Sequence, residues 1–470
     1  MGIATDLVNY SVNLKYSDLP EEVVHEVKRA LLDSIGCAIA AYNSEAGTIV
    51  RTLVESFKTK GVATIIGSGV RTLPHYAALV NGVMLRYWDF NDSYHFPMGK
   101  MLSGSHPSEI IPTCLAVGEA EQIDGRELVA SIVVGYELSG RFIHAIKRLP
   151  LENRGWSFDT RGAYITPLVA GRLMKLDPSQ IENAFGISGS YGMILGILDA
   201  SGEAFTMAKN MRFASSGHNG ILAALLAKEG FTGPVRVLEG DKGFNRTVVS
   251  DDFDFSELAR NQEFKILDND YKPFVANRSS QGHISATLKN VEQYNIKPED
   301  VDHVEVFSTA RVAEHTGDPS KKYPVNKESA DHSACFMTAV AIVDRALGIS
   351  QFTTEKYNDP LIKDLIGRVT IQADASLDKY DCGGISVIHM KDGTVHRTLV
   401  EYPLGSRINP MSDQVLEDKF VGNATLFMST EQAERVADAI WQIDKCKSVG
   451  DFMKICSFQA TFDHVSIERS

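Results

Sequence analysis

The sequence predicts a mostly α fold, a large all-helical domain carrying a smaller inserted α/β lid domain. Three observations carry the prediction. Up to about residue 268, apolar residues recur at helical spacing in one segment after another. From 269 to 404 the texture changes to alternating, strand-like stretches. After residue 405 the helical pattern returns. The expected division is therefore 1–268 plus 405–470 for the helical domain and 269–404 for the lid.

Taken in order, Ser17-Asp18-Leu19-Pro20-Glu21-Glu22 is a helix start: a cap, a proline, then acids in the first turn. Val23, Val24, Val27, Leu31 and Ile35 follow on one face. Residues 45–67 read as a second helix with a short apolar turn, and 75–87 as a third. Further helices are expected at 109–122, 125–145, 163–174, 178–186 and 207–229. Gly186-Ile187-Ser188-Gly189-Ser190-Tyr191-Gly192 has G-x-x-G-x-x-G spacing and no strand before it. It therefore fails the dinucleotide fingerprint and reads as close helix packing. In the lid, strands are expected at 301–308, 369–373, 385–390 and 397–402, with Lys391-Asp392-Gly393 as a hairpin turn. Helices at 282–294 and 333–347 accompany them, and 412–420 and 430–444 complete the helical return.

Composition narrows the function classes. With 470 residues, 44% hydrophobic and 23% charged, the chain can bury a large core. Its net charge of −13, without a Lys/Arg block, argues against nucleic acid and anionic membrane as partners. An anionic small substrate would need positive potential made locally. The cysteines (Cys37, Cys114, Cys335, Cys382, Cys446, Cys456) include no C-x-x-C pair, which speaks against a zinc ribbon or an iron–sulfur cluster. The histidines are scattered: neither His283 with His303 nor His389 with His396 has metal-ligand spacing to nearby acids. No metal and no cofactor are expected. No apolar run approaches the roughly 18 residues of a membrane span, and the first residues do not read as a signal peptide, so a cytoplasmic protein is expected.

The chemistry concentrates at 81–109. An apolar helical run ends in Trp88-Asp89-Phe90-Asn91-Asp92-Ser93; a polar, glycine-containing loop follows, and His106-Pro107-Ser108 opens the next helix. If the first helix persists, Asp89 and Asp92 share a face. His106 at a helix N-terminus is disfavoured as imidazolium, which keeps a neutral base available near pH 7. Carboxylate, hydroxyl and neutral imidazole at one junction make a proton-transfer site. The same residues could instead only end one helix and cap the next.

The D-F-N-D-S … H-P-S pattern resembles the signature of the MmgE/PrpD family, which includes 2-methylcitrate dehydratase, cis-aconitate decarboxylase and an iminodisuccinate epimerase. Asn91 and Ser93 depart from the family's usual D-F-D-D-T. The resemblance implies active-site positions for Asp89, Ser93 and His106. The segment from Thr206 to Pro234 resembles the family's lysine-bearing helix and its G-F-T-G-P turn, which implies substrate contact for Lys209. The apolar neighbours of Lys209 argue for partial burial and hence a carboxylate partner. Arg212, three residues on, could add a cation on the same face. Lys272 resembles the family's K-x-[FY]-P-[AC] lysine at the domain junction, with Val275 in place of the proline. Ser279-Ser280-Gln281 resembles the dehydratase-type H-S-Q, placing Gln281 among substrate-binding candidates. The 154–162 loop, with Ser157 where a histidine often sits, contributes Arg161. Ala330-Asp331-His332-Ser333 resembles A-D-H-S and reads as capping and domain docking rather than chemistry.

Proton removal beside a carboxylate builds enediolate charge that something positive must stabilise. Lys209, Lys272, Arg212 and Arg161 are the expected source, with His106 as acid or base, Asp89 orienting it and Ser93 donating a hydrogen bond. The resemblance implies a cofactor-independent lyase on a small di- or tricarboxylate, foremost dehydration of a 2-methylcitrate-like acid. Cis-aconitate-type decarboxylation and α-carbon epimerisation are alternatives on the same pocket, and a non-catalytic carboxylate binder is an alternative of another class. The family also implies a homodimer.

Overall fold

Proline and acids set the first long helix: Pro20 caps Glu21–Ala40, Glu21 and Glu22 sit in its first turn, and Val23, Val24, Val27, Leu31 and Ile35 are buried. The computed structural model describes residues 2–98, 101–203, 205–259, 264–380 and 382–458, with backbone alone at 96–98 and 101–103. Around that helix pack Pro74–Tyr87 and Asp413–Ala424, so the C-terminal return closes the helical core. Gly125–Ala145 and Gly162–Leu173 lie within one or two residues of their expected bounds. None of the helices among the described residues is long and apolar enough to cross a membrane.

Several boundaries differ for identifiable reasons. The helix expected at 178–186 runs on as Pro178–Tyr191. Its glycines let neighbouring segments approach closely: a Cβ on Gly186 would meet the Pro234 carbonyl oxygen at 2.6 Å, and one on Gly189 would meet the Tyr164 ring at 2.5 Å. Close packing, not phosphate binding, explains that glycine run. The helix expected from 207 opens as a 3₁₀ turn, Met207–Met211, before Arg212–Lys228. The segment after Ser93, read as a loop, contains an antiparallel hairpin of Tyr94–Met98 with Met101–Ser105; Gly99 and Lys100 lie outside the described residues. Pro97 within the first strand hides it from a propensity reading.

The α/β part is a four-stranded sheet in which Val301–Ser308 lies between Val369–Ala373, parallel to it, and Gly384–Met390, antiparallel. Val395–Val400 forms the far edge through the Lys391-Asp392-Gly393 turn, where Gly393 has φ +89°. The Gln281–Gln293 helix packs on this sheet, and Ala334–Asp344 packs against that helix. Ser333 caps Ala334–Asp344 through Phe336 N–H.

Candidate active site

The Pro74–Tyr87 helix stops where the chemistry begins. Trp88 closes its last turn, and Asp89 takes a left-handed conformation, φ +47°, tolerated by Asp better than by most residues. This turn separates the two acids, so Asp89 and Asp92 do not share a helical face. Asp89 is 2% exposed and faces cations from three elements. Arg86 Nη1 lies 2.8 Å from Oδ1, Lys272 Nζ 2.6 Å from Oδ1 and Lys209 Nζ 3.1 Å from Oδ2. Lys272 also donates to the Asp89 carbonyl at 2.6 Å, tying the unusual backbone to the lid. Burial works to raise the Asp89 pKa; Arg86, Lys272, Lys209 and His332 overcome it and hold the carboxyl well below the usual range. The carboxylate partner expected for Lys209 is therefore Asp89.

His106 stands one residue before the 3₁₀ turn Pro107–Ile110, which runs on into Ile111–Ala120. Its Nδ1 is 2.6 Å from the Asp92 carbonyl oxygen. A carbonyl only accepts, so Nδ1 carries the proton and Nε2 is the basic nitrogen. Burial, then the Arg86 and Lys272 charges, push its pKa well below the ordinary histidine value, against the pull of Asp89. The ring is a neutral base within the field of the cation cluster.

His332 and Asp331 belong to the same cluster, beyond the capping and docking read for them. Docking is present: the Asp331 carbonyl accepts from Asn277 N–H at 3.1 Å and Asn277 Nδ2 at 3.2 Å. The side chains do more. His332 Nδ1 bonds Asp331 Oδ1 at 2.5 Å, while Nε2 lies 3.4 Å from Lys209 Nζ and 3.6 Å from Asp89 Oδ2. Burial raises the Asp331 carboxyl, but Lys209, Lys327 and His332 bring it down to about 2. That ionised carboxylate fixes Nδ1–H on His332 and leaves Nε2 with the lone pair. Burial and Lys209 lower the His332 pKa, so this imidazole too is neutral.

The remaining candidates separate. Arg212 and Arg161 do not reach Asp89; both pair with Asp159, at 3.0 Å each, against the Phe158 ring. Arg212 also approaches Asp199 at 3.4 Å, and His332 Nε2 lies 3.9 Å from that acid. This second charged group therefore borders the first. Gln281 spends its amide on backbone: Phe274 N–H donates to it, and its own N–H groups reach the carbonyls of Phe274 and Ala276. It pins the loop that follows Lys272. Ser93 exchanges both backbone hydrogen bonds with Asp270, and its buried hydroxyl has no partner among the described residues.

Three residues that the sequence reading missed complete the arrangement. Arg86 lies one helical turn before Asp89, a spacing that does signal pairing. Lys419, from the C-terminal return, donates to the carbonyls of Phe90 and Lys272 and to Asp33, fixing both walls of the cluster. Lys327 reaches the Tyr87 carbonyl and Asp331. Asp89, Asp331 and His332 also bring potential metal-ligand atoms within 4.8 Å of one another, as do Asp199, His315 and His332. In the first set the Lys209 ammonium lies within 3.9 Å of all three side chains, so the positive charge at that point is already supplied.

Buried cations and imidazoles thus surround one carboxylate where the helical part of the chain meets the α/β part. Residues 5–256 match the MmgE/PrpD N-terminal domain and residues 274–445 the MmgE/PrpD C-terminal domain. The chain belongs to the MmgE/PrpD family. It is similar to cis-aconitate decarboxylase of Aspergillus terreus, 25% identical over 97% of this chain and 96% of that one. Cis-aconitate decarboxylase of Mus musculus is 24% identical over the same shares. It is also similar to 2-methylcitrate dehydratase of Salmonella typhimurium, 22% identical over 92% of each chain.

Proposed function

We propose that this chain is a lyase for a small di- or tricarboxylate, dehydrating a 2-methylcitrate-like hydroxy acid by proton transfer between side chains. The observation that carries the reading is the pair of neutral imidazoles, His106 on the body and His332 on the lid, beside Lys209 and Lys272. Loss of water requires two proton transfers: one from the carbon next to a carboxylate and one to the departing hydroxyl. His106 Nε2 takes the first. Lys272 and Lys209, both buried, hold the carboxylate on which charge accumulates in surroundings of low dielectric. Lys209 with His332 returns a proton to the hydroxyl, which leaves as water; solvent exchange with His106 resets the pair.

A second reading has its own support. The decarboxylase relatives are 24–25% identical over 97% of this chain, against 22% over 92% for the dehydratase. Decarboxylation of a cis-aconitate-like acid needs one protonation of the carbanion left by carbon dioxide, and the same lysines would hold the remaining carboxylates.

The test is a panel of citrate-type and aconitate-type acids, followed by enoate absorbance and by released carbon dioxide, with wild type beside His106→Ala. Enoate formation without carbon dioxide, reduced about 10²–10⁴-fold in the variant, is expected. Carbon dioxide as the sole product selects the second reading. Turnover surviving within about tenfold in His106→Ala removes that residue from the role of base.

A further inference from the structure

The outward face of the lid sheet carries a grouping that the proton-transfer site does not use. Val301–Ser308 places His303 and Glu305 two residues apart, hence on one face of the sheet. The antiparallel register sets His389, on Gly384–Met390, directly opposite His303. Two histidines 86 positions apart in the chain thus become cross-strand neighbours, their rings stacked with centroids 4.0 Å apart and 9° between planes. Sequence spacing alone had given neither of them a partner.

Each donor is already aimed. Asp302 Oδ2 lies 2.8 Å from His303 Nδ1, which fixes the proton there and leaves Nε2 as the free lone pair. Gln372, on the neighbouring parallel strand Val369–Ala373, donates to Glu305 Oε1 at 3.1 Å. That holds the carboxylate with Oε2 turned to His389 Nε2, also at 3.1 Å. One ligand atom from each of His303, Glu305 and His389 lies within 4.8 Å of the others. The side chains are 46%, 31% and 27% exposed, so water has access to the remaining coordination positions.

We propose that His303, Glu305 and His389 form a binding site for a divalent transition-metal ion, of the zinc, cobalt or nickel class. Two imidazoles and one carboxylate match the ligand preference of those ions and not the all-oxygen preference of calcium or magnesium. Two of the ligands sit on the central strand and one on its neighbour, so the sheet sets their separation before any ion arrives. Asp302 and Gln372 act as the outer-shell groups that orient a ligand histidine and a ligand carboxylate.

The experiment is titration of the full chain with zinc chloride, read by calorimetry and by metal content after equilibrium dialysis, at pH 7.5 and at pH 5.5. Expected is one equivalent at pH 7.5, little binding at pH 5.5 where imidazoles carry protons, and no displacement by millimolar calcium. His303→Ala/His389→Ala should weaken binding at least tenfold, and Asp302→Asn, which keeps every ligand, about tenfold. His396→Ala on the edge strand should leave it unchanged. Zinc taken up equally by the double variant would place the ion elsewhere, around His332 for instance, and would overturn the assignment. Failure of wild type to take up zinc would overturn it as well.

Discussion

Asp89 and Asp92 are three residues apart, both at most 2% exposed, and chemically opposite. Asp89 meets charge: two lysines and an arginine keep it ionised. Among the described residues Asp92 meets neutral donors, the Ser108 backbone N–H and hydroxyl, the Tyr136 hydroxyl at 2.8 Å and the Asn269 amide at 2.7 Å. Burial pushes the Asp92 carboxyl up to about 6, with Asp33 adding to the rise and the Ser108, Tyr136 and Asn269 hydrogen bonds opposing it. One backbone torsion, the left-handed turn at Asp89, directs the first acid into the cation cluster and the second into a hydrogen-bonded wall. The comparison teaches that burial does not decide what a carboxylate does; the charge of its neighbours does.

Replacing Asp89 breaks the comparison most severely. Asp89→Asn keeps the shape and removes the charge, leaving Arg86, Lys209 and Lys272 buried together. Loss of one partner from a buried charged group costs about 3–5 kcal/mol, to be read from urea unfolding. Turnover should fall by roughly 10³-fold or more, since Lys209 and Lys272 would lose their common anchor beside the substrate. A variant that unfolds at the wild-type urea concentration and turns over normally would remove Asp89 from the centre of the site.

Asp92→Asn tests the other half at a smaller scale. The amide presents one acceptor oxygen to a set of donors that occupied two, a loss of about 1–3 kcal/mol with turnover retained within about tenfold. The two acids also give opposite pH dependences. For Asp92 the folded pKa of about 6 lies above the unfolded value of roughly 3.9, so the native state binds the proton more tightly. Its contribution is full below about pH 4 and is lost as pH rises through 6, with a slope of at most about 1.4 kcal/mol per unit. For Asp89 the folded pKa is depressed, so its contribution is full above about pH 4 and is lost as pH falls further. Stability measured from pH 3 to 7 should therefore lose its decline between 4 and 6 in Asp92→Asn and its acid-side loss in Asp89→Asn. Parallel curves for both variants would contradict the contrast.

The same pair shows what the sequence made legible. Asp89, Lys209 and Lys272 could be read from motif resemblance and from the rule that a lysine among apolar residues needs an acid. They do converge, at 2.6 and 3.1 Å. The existence of the main helices and of the strands of the lid, though not every boundary, followed from periodicity, because a core facing one way imposes one period. Asp92 was misplaced because helical spacing was carried one turn too far, past a torsion that spacing cannot reveal. His332 and Lys419 were missed for a different reason. They reach the site from elements 243 and 330 positions beyond Asp89 in the chain, and only tertiary packing brings them there. His303 and His389 needed a strand register, which no local pattern specifies.

The smallest expected effect falls on Ser93. Its backbone is locked to Asp270, two residues before Lys272, while its hydroxyl is buried without a partner among the described residues. A buried hydroxyl that bonds nothing costs free energy, so removing it should not destabilise the fold. If that hydroxyl is kept for the substrate, Ser93→Ala should leave the urea midpoint unchanged or slightly higher. KM should rise by up to about tenfold, the worth of one neutral hydrogen bond, while kcat changes little. Ser93→Thr, which retains the hydroxyl and matches the family's usual residue, should restore KM. An unchanged KM in Ser93→Ala would show that the hydroxyl serves packing alone, and the substrate would then be held by the charged groups around Asp89 without it.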